Sequence, residues 1–322
     1  MKSGKGSDKN SSTENLSSVS DSPLKKIASI DIGSNTLRLL IAGESGVGFR
    51  PLYREREIVR LGRHFYQHRL LSSQAMEDAV TVLKRFKNKV DAEGVTEILC
   101  VGTGVLREAE NTSSFLKRIE EETGLPVRII SGIEEARIMA RGVLSIFPSQ
   151  PGKTIIFDSG GGSTEFVFMD DGQLTERISV PLGAVLLTEQ FLRSDPPGQQ
   201  EIQSLKGHCR NILKKNLKKN DNINILIGTA GTVTTLTAMM TRLGTYDPDR
   251  INGAVLTRQG LKALSEDISP LSIDQRVKWI GLEPGRADII IAGLFLVLEI
   301  MDHFSREALL VSDAGLLEGL IA

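Results

Sequence analysis

The sequence predicts an α/β protein built from two similar halves that face one another across a cleft. Apolar segments typical of strands alternate with amphipathic segments typical of helices along most of the 322 residues, which is the pattern of sheets covered by helices. An apolar segment that ends in aspartate and a glycine-rich turn occurs twice, as IASIDIGSNTLRLLIAG at 27–43 and IIFDSGGGSTEFVF at 155–168. This recurrence indicates a duplicated unit. We expect Asp31 to correspond to Asp158, with a difference of one or two residues in turn length.

The elements of the first half follow from local patterns. A charged stretch after the first turn leads to a helix predicted over about 72–91, where apolar residues recur at helical spacing. A strand at 96–103, a helix at 108–124 that ends at Gly124, a strand at 127–131 and a helix over GIEEARIMARGVL follow.

The second half repeats the alternation. A helix is predicted from Leu187 to about Arg193, before the helix-breaking PPG at 196–198, and a basic helix over 201–220. The segment NINILIGTAGTVTTLTAMM then predicts a strand, a glycine turn and a helix, so that 228–232 is a candidate anion site at a helix N-terminus. Strand ALLVSD and a short helix close the chain.

Composition limits the function classes. A net charge of −1 with 40% apolar and 25% charged residues gives no general field for nucleic acid or a membrane. The apolar run 289–298 lies between Asp288 and Glu299 and is too short to span a bilayer, which predicts a buried helix. Cys100 and Cys209 make no disulfide framework, so a reducing, cytoplasmic location is expected.

The domain boundaries are predicted from these changes of pattern. Residues 1–26 are rich in Ser, Asn and Lys and contain no hydrophobic segment, which indicates a disordered tail rather than a signal peptide. The first domain is predicted over 27–145 and the second over 146–312. The C-terminal helix at about 313–322 is expected to pack back on the first domain.

Glycine, serine and threonine in three turns indicate phosphoryl chemistry. Glycine lets backbone N–H groups approach an anion closely, and hydroxyls add donors. An ordinary glycine-rich hairpin is the structural alternative for a single turn. The sequence contains neither GxxxxGK[ST] nor GxGxxG.

An ordered set of motifs identifies a family resemblance: IDIGSNTLRLLIAG, VGTGVLREAEN, ISGIEEARIMARGV, FDSGGGSTEFVF, GTAGTVTTL, YDPDRINGAVLT and GRADIIIAG. The chain closely resembles the Ppx/GppA family of exopolyphosphatases and guanosine pentaphosphate phosphohydrolases, in its short two-domain form, over about residues 27–322. The resemblance implies two actin-like (ribonuclease H-like) ATPase domains, with mixed sheets flanked by helices around a central cleft.

The resemblance also implies site residues. Glu135 corresponds to the general base that activates water, Glu165 to a second catalytic acid and Asp158 to the ligand of a divalent cation, expected to be Mg²⁺. Glu134 is then the acid that caps the helix, and a first-turn acid without catalytic role is the alternative for Glu135. The implied phosphate-binding residues are Gly33, Ser34, Asn35, Thr36, Arg107, Gly160, Gly161, Gly162, Ser163 and Gly231. For Arg286, phosphate binding and an inter-domain ion pair are both open.

Other basic groups have two interpretations. Arg54, Arg56, Arg60 and Arg63, or the lysines at 214, 215, 218 and 219, could follow a phosphate chain out of the cleft. The lysines could equally be a solvated helix end. His64 and His68 have the i, i+4 spacing of metal ligands, but no third ligand is evident.

The implied activity is release of terminal orthophosphate from inorganic polyphosphate, guanosine pentaphosphate or both, by a homodimer. A kinase-like ATPase of the same superfamily and a non-catalytic polyphosphate or nucleotide sensor are the alternatives. The chain departs from many family members at Leu186 and Leu317, where they carry arginine, and at Ser159, where they carry an apolar residue. These departures leave substrate and chain-length preference open.

Overall fold

The computed structural model describes residues 25–46, 48–148, 151–218 and 222–322. The predicted disordered tail, apart from Lys25 and Lys26, lies outside these residues. Lys219, one of the predicted helical lysines, also lies outside them, and Lys218 follows the end of its helix.

The first half of the chain forms a five-stranded sheet with the order β3-β2-β1-β4-β5. Strands β1, β2 and β3 are antiparallel, while β4 and β5 run parallel to β1. The strands are β1 (Lys26–Ile32), β2 (Thr36–Ser45), β3 (Gly48–Ile58), β4 (Glu97–Gly102) and β5 (Val127–Ile129). The helices between them are α1 (Phe65–His68), α2 (Ser73–Ala92), a 3₁₀ turn (Gly104–Arg107) and α3 (Thr112–Thr123).

Helix α2 shows why the predicted helices form. The Ser72 side chain caps its N-terminus by accepting from the Ala75 N–H, because a hydroxyl oxygen satisfies a first-turn donor. Val80, Leu83 and Phe86 then bury one face against the sheet. Helix α3 begins at 112 rather than at the predicted 108, because residues 108–111 form turns that follow the 3₁₀ turn.

The second half forms a six-stranded sheet with the order β10-β11-β9-β6-β7-β8. The strands are β6 (Lys153–Ser159), β7 (Thr164–Asp170), β8 (Gln173–Val180), β9 (Ile225–Thr229), β10 (Val255–Thr257) and β11 (Ala308–Val311). Most helices of the chain belong here: α5 (Ala184–Phe191), α6 (Gln199–Asn216), α7 (Ala230–Met240), α8 (Pro248–Ile251), α9 (Arg258–Ile268), α10 (Ile273–Arg276), a 3₁₀ turn (Pro284–Arg286) and α11 (Ile290–His303).

Helix α11 contains most of the apolar run 289–298 and is buried along nearly its whole length. It packs in the core of the second half together with Phe157, Phe166 and Leu205. The prediction of a buried helix is confirmed. Within the described parts of the chain, no helix is long and apolar enough to cross a membrane.

The two sheets repeat one topology. The order β8-β7-β6-β9-β11 in the second sheet corresponds, strand by strand, to β3-β2-β1-β4-β5 in the first. The second sheet has one further strand, β10, which pairs antiparallel with β11 at its edge. In the first sheet Asp31 pairs with Arg38 across β1 and β2, and in the second Asp158 pairs with Glu165 across β6 and β7. The predicted duplication is confirmed. The expected difference in turn length is wrong, because DIGSNTLR and DSGGGSTE span the same register.

Two helices connect the halves. Helix α4 (Gly132–Ile146) follows β5 and packs Ala136, Met139 and Val143 on the second sheet. Helix α12 (Leu316–Ile321) follows β11 and packs on β1 and β2 of the first sheet. The two helices meet at glycine: a Cβ added at Gly142 would collide with the Gly315 carbonyl, and one added at Gly319 would collide with the Ile138 carbonyl.

Candidate functional site

The two glycine-rich turns lie together at the carboxyl ends of β1 and β6, where they line a cavity of about 260 Å³. Their backbones match: the Gly33 N–H donates to the Thr36 carbonyl at 3.2 Å, and the Gly160 N–H donates to the Ser163 carbonyl at 3.0 Å. Ser34 of the first turn packs on Gly161 of the second, where an added Cβ would lie 3.1 Å from the Ser34 Cβ. A side chain at position 161 would therefore push Ser34 away by a few tenths of an ångström, and glycine allows the close approach of the two turns.

Asp31 is neutralised within its own hairpin. The Arg38 Nε and Nη2 donate to its Oδ2 at 2.9 and 2.6 Å, and the Thr103 hydroxyl donates to Oδ1 at 3.2 Å. Both Arg38 donors contact one carboxylate oxygen and Asp31 is 2% exposed, so the charge of the carboxylate is locally compensated.

Asp158 has the opposite surroundings. Its cross-strand partner is a second acid, Glu165, and in the described part of the chain its carboxylate accepts no hydrogen bond. Burial, then the charge of Glu165 and finally that of Asp31 raise the pKa of Asp158 to about 7, although Arg38 lowers it. A buried carboxylate beside like charge holds its proton or attracts a cation.

Glu135 stands on the first turn of α4 and reaches the same cavity. Arg107 Nη1 donates to its Oε2 at 2.5 Å, and Arg107 Nη2 donates to the Ser163 hydroxyl at 3.2 Å. Burial, followed by the charge of Glu165, raises the pKa of Glu135 well above its usual range, while Arg107 acts against this rise. Glu134, expected to cap the helix, instead pairs with Arg128, and the Ser131 hydroxyl is the cap.

Glu165 is fixed by hydroxyl groups. Ser163 and Ser179 donate to its Oε1 at 2.7 and 2.8 Å. Burial raises its pKa, although the two serines and Arg107 favour the charged form. Glu135, Asp158 and Glu165 thus form one buried acidic cluster, which we name the acid cluster, with Arg107 at its edge.

The third glycine turn is occupied by a side chain. A Cβ added at Gly231 would collide with the Arg286 guanidinium, which donates to Glu283 at 2.9 Å and to the Thr36 hydroxyl at 3.2 Å. The absence of a side chain at Gly231 therefore leaves space for the Arg286 guanidinium. The ion pair of Arg286 lies within the second half, so the predicted inter-domain ion pair is wrong, and the contact between the halves is the hydrogen bond to Thr36. Arg286 also lines the cavity, and its binding of phosphate stays a prediction.

Arginines expected to be available for a phosphate chain are paired with acids. Arg54 bonds Glu318 at 2.5 Å, Arg56 bonds Glu283 at 2.9 Å and Arg60 bonds Asp288 at 3.1 Å. These partners come from the second half of the chain, more than two hundred residues away in the sequence.

The cavity has an excess of acids. Its lining contains seven acidic residues and four arginines: Asp31, Glu55, Glu135, Asp158, Glu165, Asp313 and Glu318, with Arg38, Arg54, Arg56 and Arg286. No three Asp, Glu, His or Cys side chains among the described residues converge as a complete metal site, and His64 precedes α1 in a left-handed conformation rather than sharing a helix face with His68. Mg²⁺ commonly binds through one or two carboxylates plus substrate phosphates, and the uncompensated Asp158 fits that arrangement.

The profile of the Ppx/GppA phosphatase family matches residues 40–322. The chain belongs to this family. Among curated relatives, the bifunctional 3-dehydroquinate synthase/phosphatase of Fusobacterium nucleatum is 33% identical over 310 residues, covering 91% of this chain and 46% of that protein. The chain therefore spans less than half of that relative. Exopolyphosphatase 2 of Mycobacterium tuberculosis is 29% identical over 313 residues, covering 92% of this chain and 98% of that protein.

Solved structures of Ppx/GppA proteins share the fold. The Aquifex aeolicus family member is 33% identical, with a TM-score of 0.78, covering 92% of this chain and 96% of that one. An exopolyphosphatase from Cytophaga hutchinsonii is 25% identical, with a TM-score of 0.84 and the same coverage. The predicted actin-like ATPase fold, with two mixed sheets flanked by helices, is confirmed.

The two leucines that replace arginines of many Ppx/GppA members are buried. Leu317 is 7% exposed and packs with Ile27, Leu40 and Ile321, and Leu186 is 5% exposed. The sequence reasoning missed Arg38 and Ser179, which contact Asp31 and Glu165. Cross-strand spacing from Asp31 could have identified Arg38, whereas nothing local marks Ser179.

Proposed function

We propose that this Ppx/GppA protein is a phosphohydrolase that releases terminal orthophosphate from inorganic polyphosphate. The observation that carries the proposal is the meeting of two phosphate-type turns with the acid cluster in one cavity. Relatives named exopolyphosphatase support the substrate class. In the reaction, water adds to the terminal phosphorus and the bridging P–O bond breaks. The two products are orthophosphate and a polyphosphate chain that is shorter by one phosphate.

Glu135 is the proposed general base. Its carboxylate must take a proton from the attacking water, and a pKa raised by burial and by Glu165 brings its proton affinity closer to neutral pH. Arg107 holds Glu135 in place and limits the rise. Glu165, fixed by Ser163 and Ser179, is proposed to orient the water, because its position is set by two hydrogen bonds.

The two turns are the proposed phosphate cradle. The N–H groups of Gly33 and Gly160 donate within the turns, so the donors proposed to surround the terminal phosphate are the N–H groups of Ser34, Asn35 and 161–163 together with the Ser34 hydroxyl. Arg107 lies against Ser163 and is placed to add a charge-assisted contact.

A divalent cation, Mg²⁺ in our proposal, would be held by Asp158 together with substrate phosphates. Such an ion neutralises phosphate charge and lowers the repulsion that opposes an incoming oxygen nucleophile. Its binding would also relieve the repulsion between Asp158 and Glu165.

Guanosine pentaphosphate is the proposed second substrate, because it presents a terminal phosphoanhydride of the same kind. Among the described residues that line the cavity, Tyr246 is the one with an aromatic ring, and the Arg56 guanidinium covers a face of that ring at 3.8 Å. A base that stacks on Tyr246 would have to use the remaining surface of the ring or displace Arg56. We therefore expect polyphosphate to be the better substrate.

The proposal also covers location and assembly. Cys100 and Cys209 are free and buried, which suits the cytoplasm. Exposed apolar side chains such as Val255 on the edge strand β10 and Ile280 suit a homodimer, and light scattering of the purified protein would test that state.

The deciding experiment measures phosphate release from polyphosphate, guanosine pentaphosphate and ATP side by side, for the wild type and for Glu135→Gln. We expect release from polyphosphate that the variant loses. Turnover of ATP alone would favour a kinase-like ATPase, and tight polyphosphate binding without release would favour a sensor.

A further inference from the structure

Ser159 carries a buried hydroxyl that no part of the proposed mechanism uses. The residue is 1% exposed, lines the cavity, and its Oγ has no hydrogen-bond partner among the described residues. Nearly all buried polar atoms in proteins are paired. The fold does not require a hydroxyl here, because the equivalent residue of the first turn, Ile32, is apolar and fully buried. The Ser159 hydroxyl is therefore available to a group that enters the cavity.

The side chain of Ser159 lies on the face of β6 opposite the catalytic acids. Phe157, two residues earlier, packs with Val233 of α7, whereas Ile156 packs with α4. Side chains alternate along a strand, so Ser159 shares the α7 face and Asp158 shares the α4 face with Glu135. The cavity therefore reaches both sides of the strand end.

The N-terminus of α7 begins next to Ser159. Asp158 pairs with Thr229 in the parallel register, which brings the following residue, Ala230, alongside Ser159. Thr229 makes no side-chain cap and donates its hydroxyl to the Ala314 carbonyl at 3.0 Å. The first-turn N–H groups of this 11-residue helix are thus left without a capping side chain, and they carry the positive end of the helix dipole.

We propose that Ser159, the first turn of α7 and Arg286 form a second anion subsite, which holds the phosphate next to the one being hydrolysed. This inference rests on the proposed function. The attacked phosphorus must lie near Glu135, on the α4 face, so a phosphate on the α7 face is the next one along the chain. When the bridging P–O bond breaks, that phosphate keeps the bonding electron pair and gains negative charge. The hydroxyl, the N–H groups and the guanidinium are donors for that charge.

The subsite is specific to a chain of phosphates, which gives a direct binding test. Calorimetry would measure orthophosphate and tripolyphosphate binding to Glu135→Gln and to Glu135→Gln/Ser159→Ala, so that hydrolysis does not interfere. We expect tripolyphosphate affinity to fall about 10-fold or more, because a hydrogen bond to a charged group is lost. Orthophosphate affinity should change less than twofold, since a single phosphate occupies the terminal position.

Thr154→Val is the matched control. Thr154 is a second buried hydroxyl without a partner on the same strand, and it lies away from this cavity. Its loss should leave both affinities unchanged. Ser159→Cys, which keeps the size but has a weak donor, should reproduce the Ser159→Ala result if the alanine variant folds poorly.

The outcomes separate the two proposals. Equal tripolyphosphate affinity with and without Ser159 overturns the subsite, as does an equal loss of affinity for both ligands. Absence of tripolyphosphate binding to the Glu135→Gln protein itself would instead overturn the proposed function.

Discussion

Asp158 and Glu165 face each other directly across β6 and β7, in the positions that Asp31 and Arg38 occupy across β1 and β2. One half of the duplicated fold thus places an ion pair at the mouth of its turn, and the other half places two acids. Because of this difference, the carboxylates at the second turn repel each other, whereas the charges at the first turn attract. A bound cation would therefore relieve more electrostatic repulsion at the second turn than at the first.

The first prediction concerns pH and stability. Because burial and like charge raise the pKa of Asp158 from 3.8 to about 7 in the folded protein, the folded state binds a proton more tightly than the unfolded state between these values. Stability without cation should therefore fall as pH rises from about 4 to 7. Asp158→Asn should recover on the order of 2–4 kcal/mol at pH 8.

Thermal melts between pH 5 and pH 8 measure this effect. Asp170→Asn, which changes an exposed acid at the end of β7, should follow the wild type. A wild-type melting temperature that rises over the same range would contradict the assignment.

The second prediction concerns the cation. Millimolar Mg²⁺ should raise the melting temperature of the wild type at pH 8, because it compensates the acid cluster, and phosphate release should depend on it. Asp158→Ala should shift both responses to higher Mg²⁺ concentration. Full activity in excess EDTA would rule out this role for Asp158.

The third prediction concerns the base. Glu135→Gln should reduce turnover about 10²- to 10⁴-fold, while polyphosphate binding stays within a few-fold, because glutamine keeps the shape but takes no proton. Glu134→Gln is the control, since this neighbouring acid points to Arg128 and should keep near wild-type turnover. If Glu135→Gln is as active as the control, Glu165 becomes the next candidate.

The fourth prediction concerns Arg107. Its charge lowers the pKa of Glu135, so Arg107→Gln should raise that pKa further. Since the base must be ionised, the acidic limb of the activity profile should move to higher pH. A profile that loses height without moving would show that Arg107 contacts only the substrate.

The fifth prediction concerns Leu317. Arginine at this position would carry a charge into an apolar cluster with Ile27 and Leu40, so Leu317→Arg should destabilise the protein by about 3 kcal/mol. Leu317→Met keeps the volume and should cost less than about 1.5 kcal/mol. Tighter long-chain polyphosphate binding by Leu317→Arg without loss of stability would show instead that the arginine of other family members contacts substrate.

Repetition in the sequence predicted more of this protein than any single motif did. Two aspartate–glycine turns indicated duplicated halves, and the motif order indicated the family, because both patterns are local in sequence. The partners of Arg54, Arg56 and Arg60 could not be predicted, since acids more than two hundred residues away are brought to them only by the fold. The same holds for Arg286, whose guanidinium lies beside Gly231, because the two residues are far apart in the sequence and only the fold brings them together.

The glycine contacts between α4 and α12 have a consequence for how the cleft opens. Backbone lies directly against backbone at Gly142 and Gly319, so a swing of one half relative to the other would turn about this crossing as about a pivot. Glu135 lies three residues before Ile138, about 4.5 Å along the helix axis. It would move little during such a swing, whereas the two turns belong to different halves and would separate. Substrate could then enter a widened phosphate cradle while the base keeps its place near the axis of rotation.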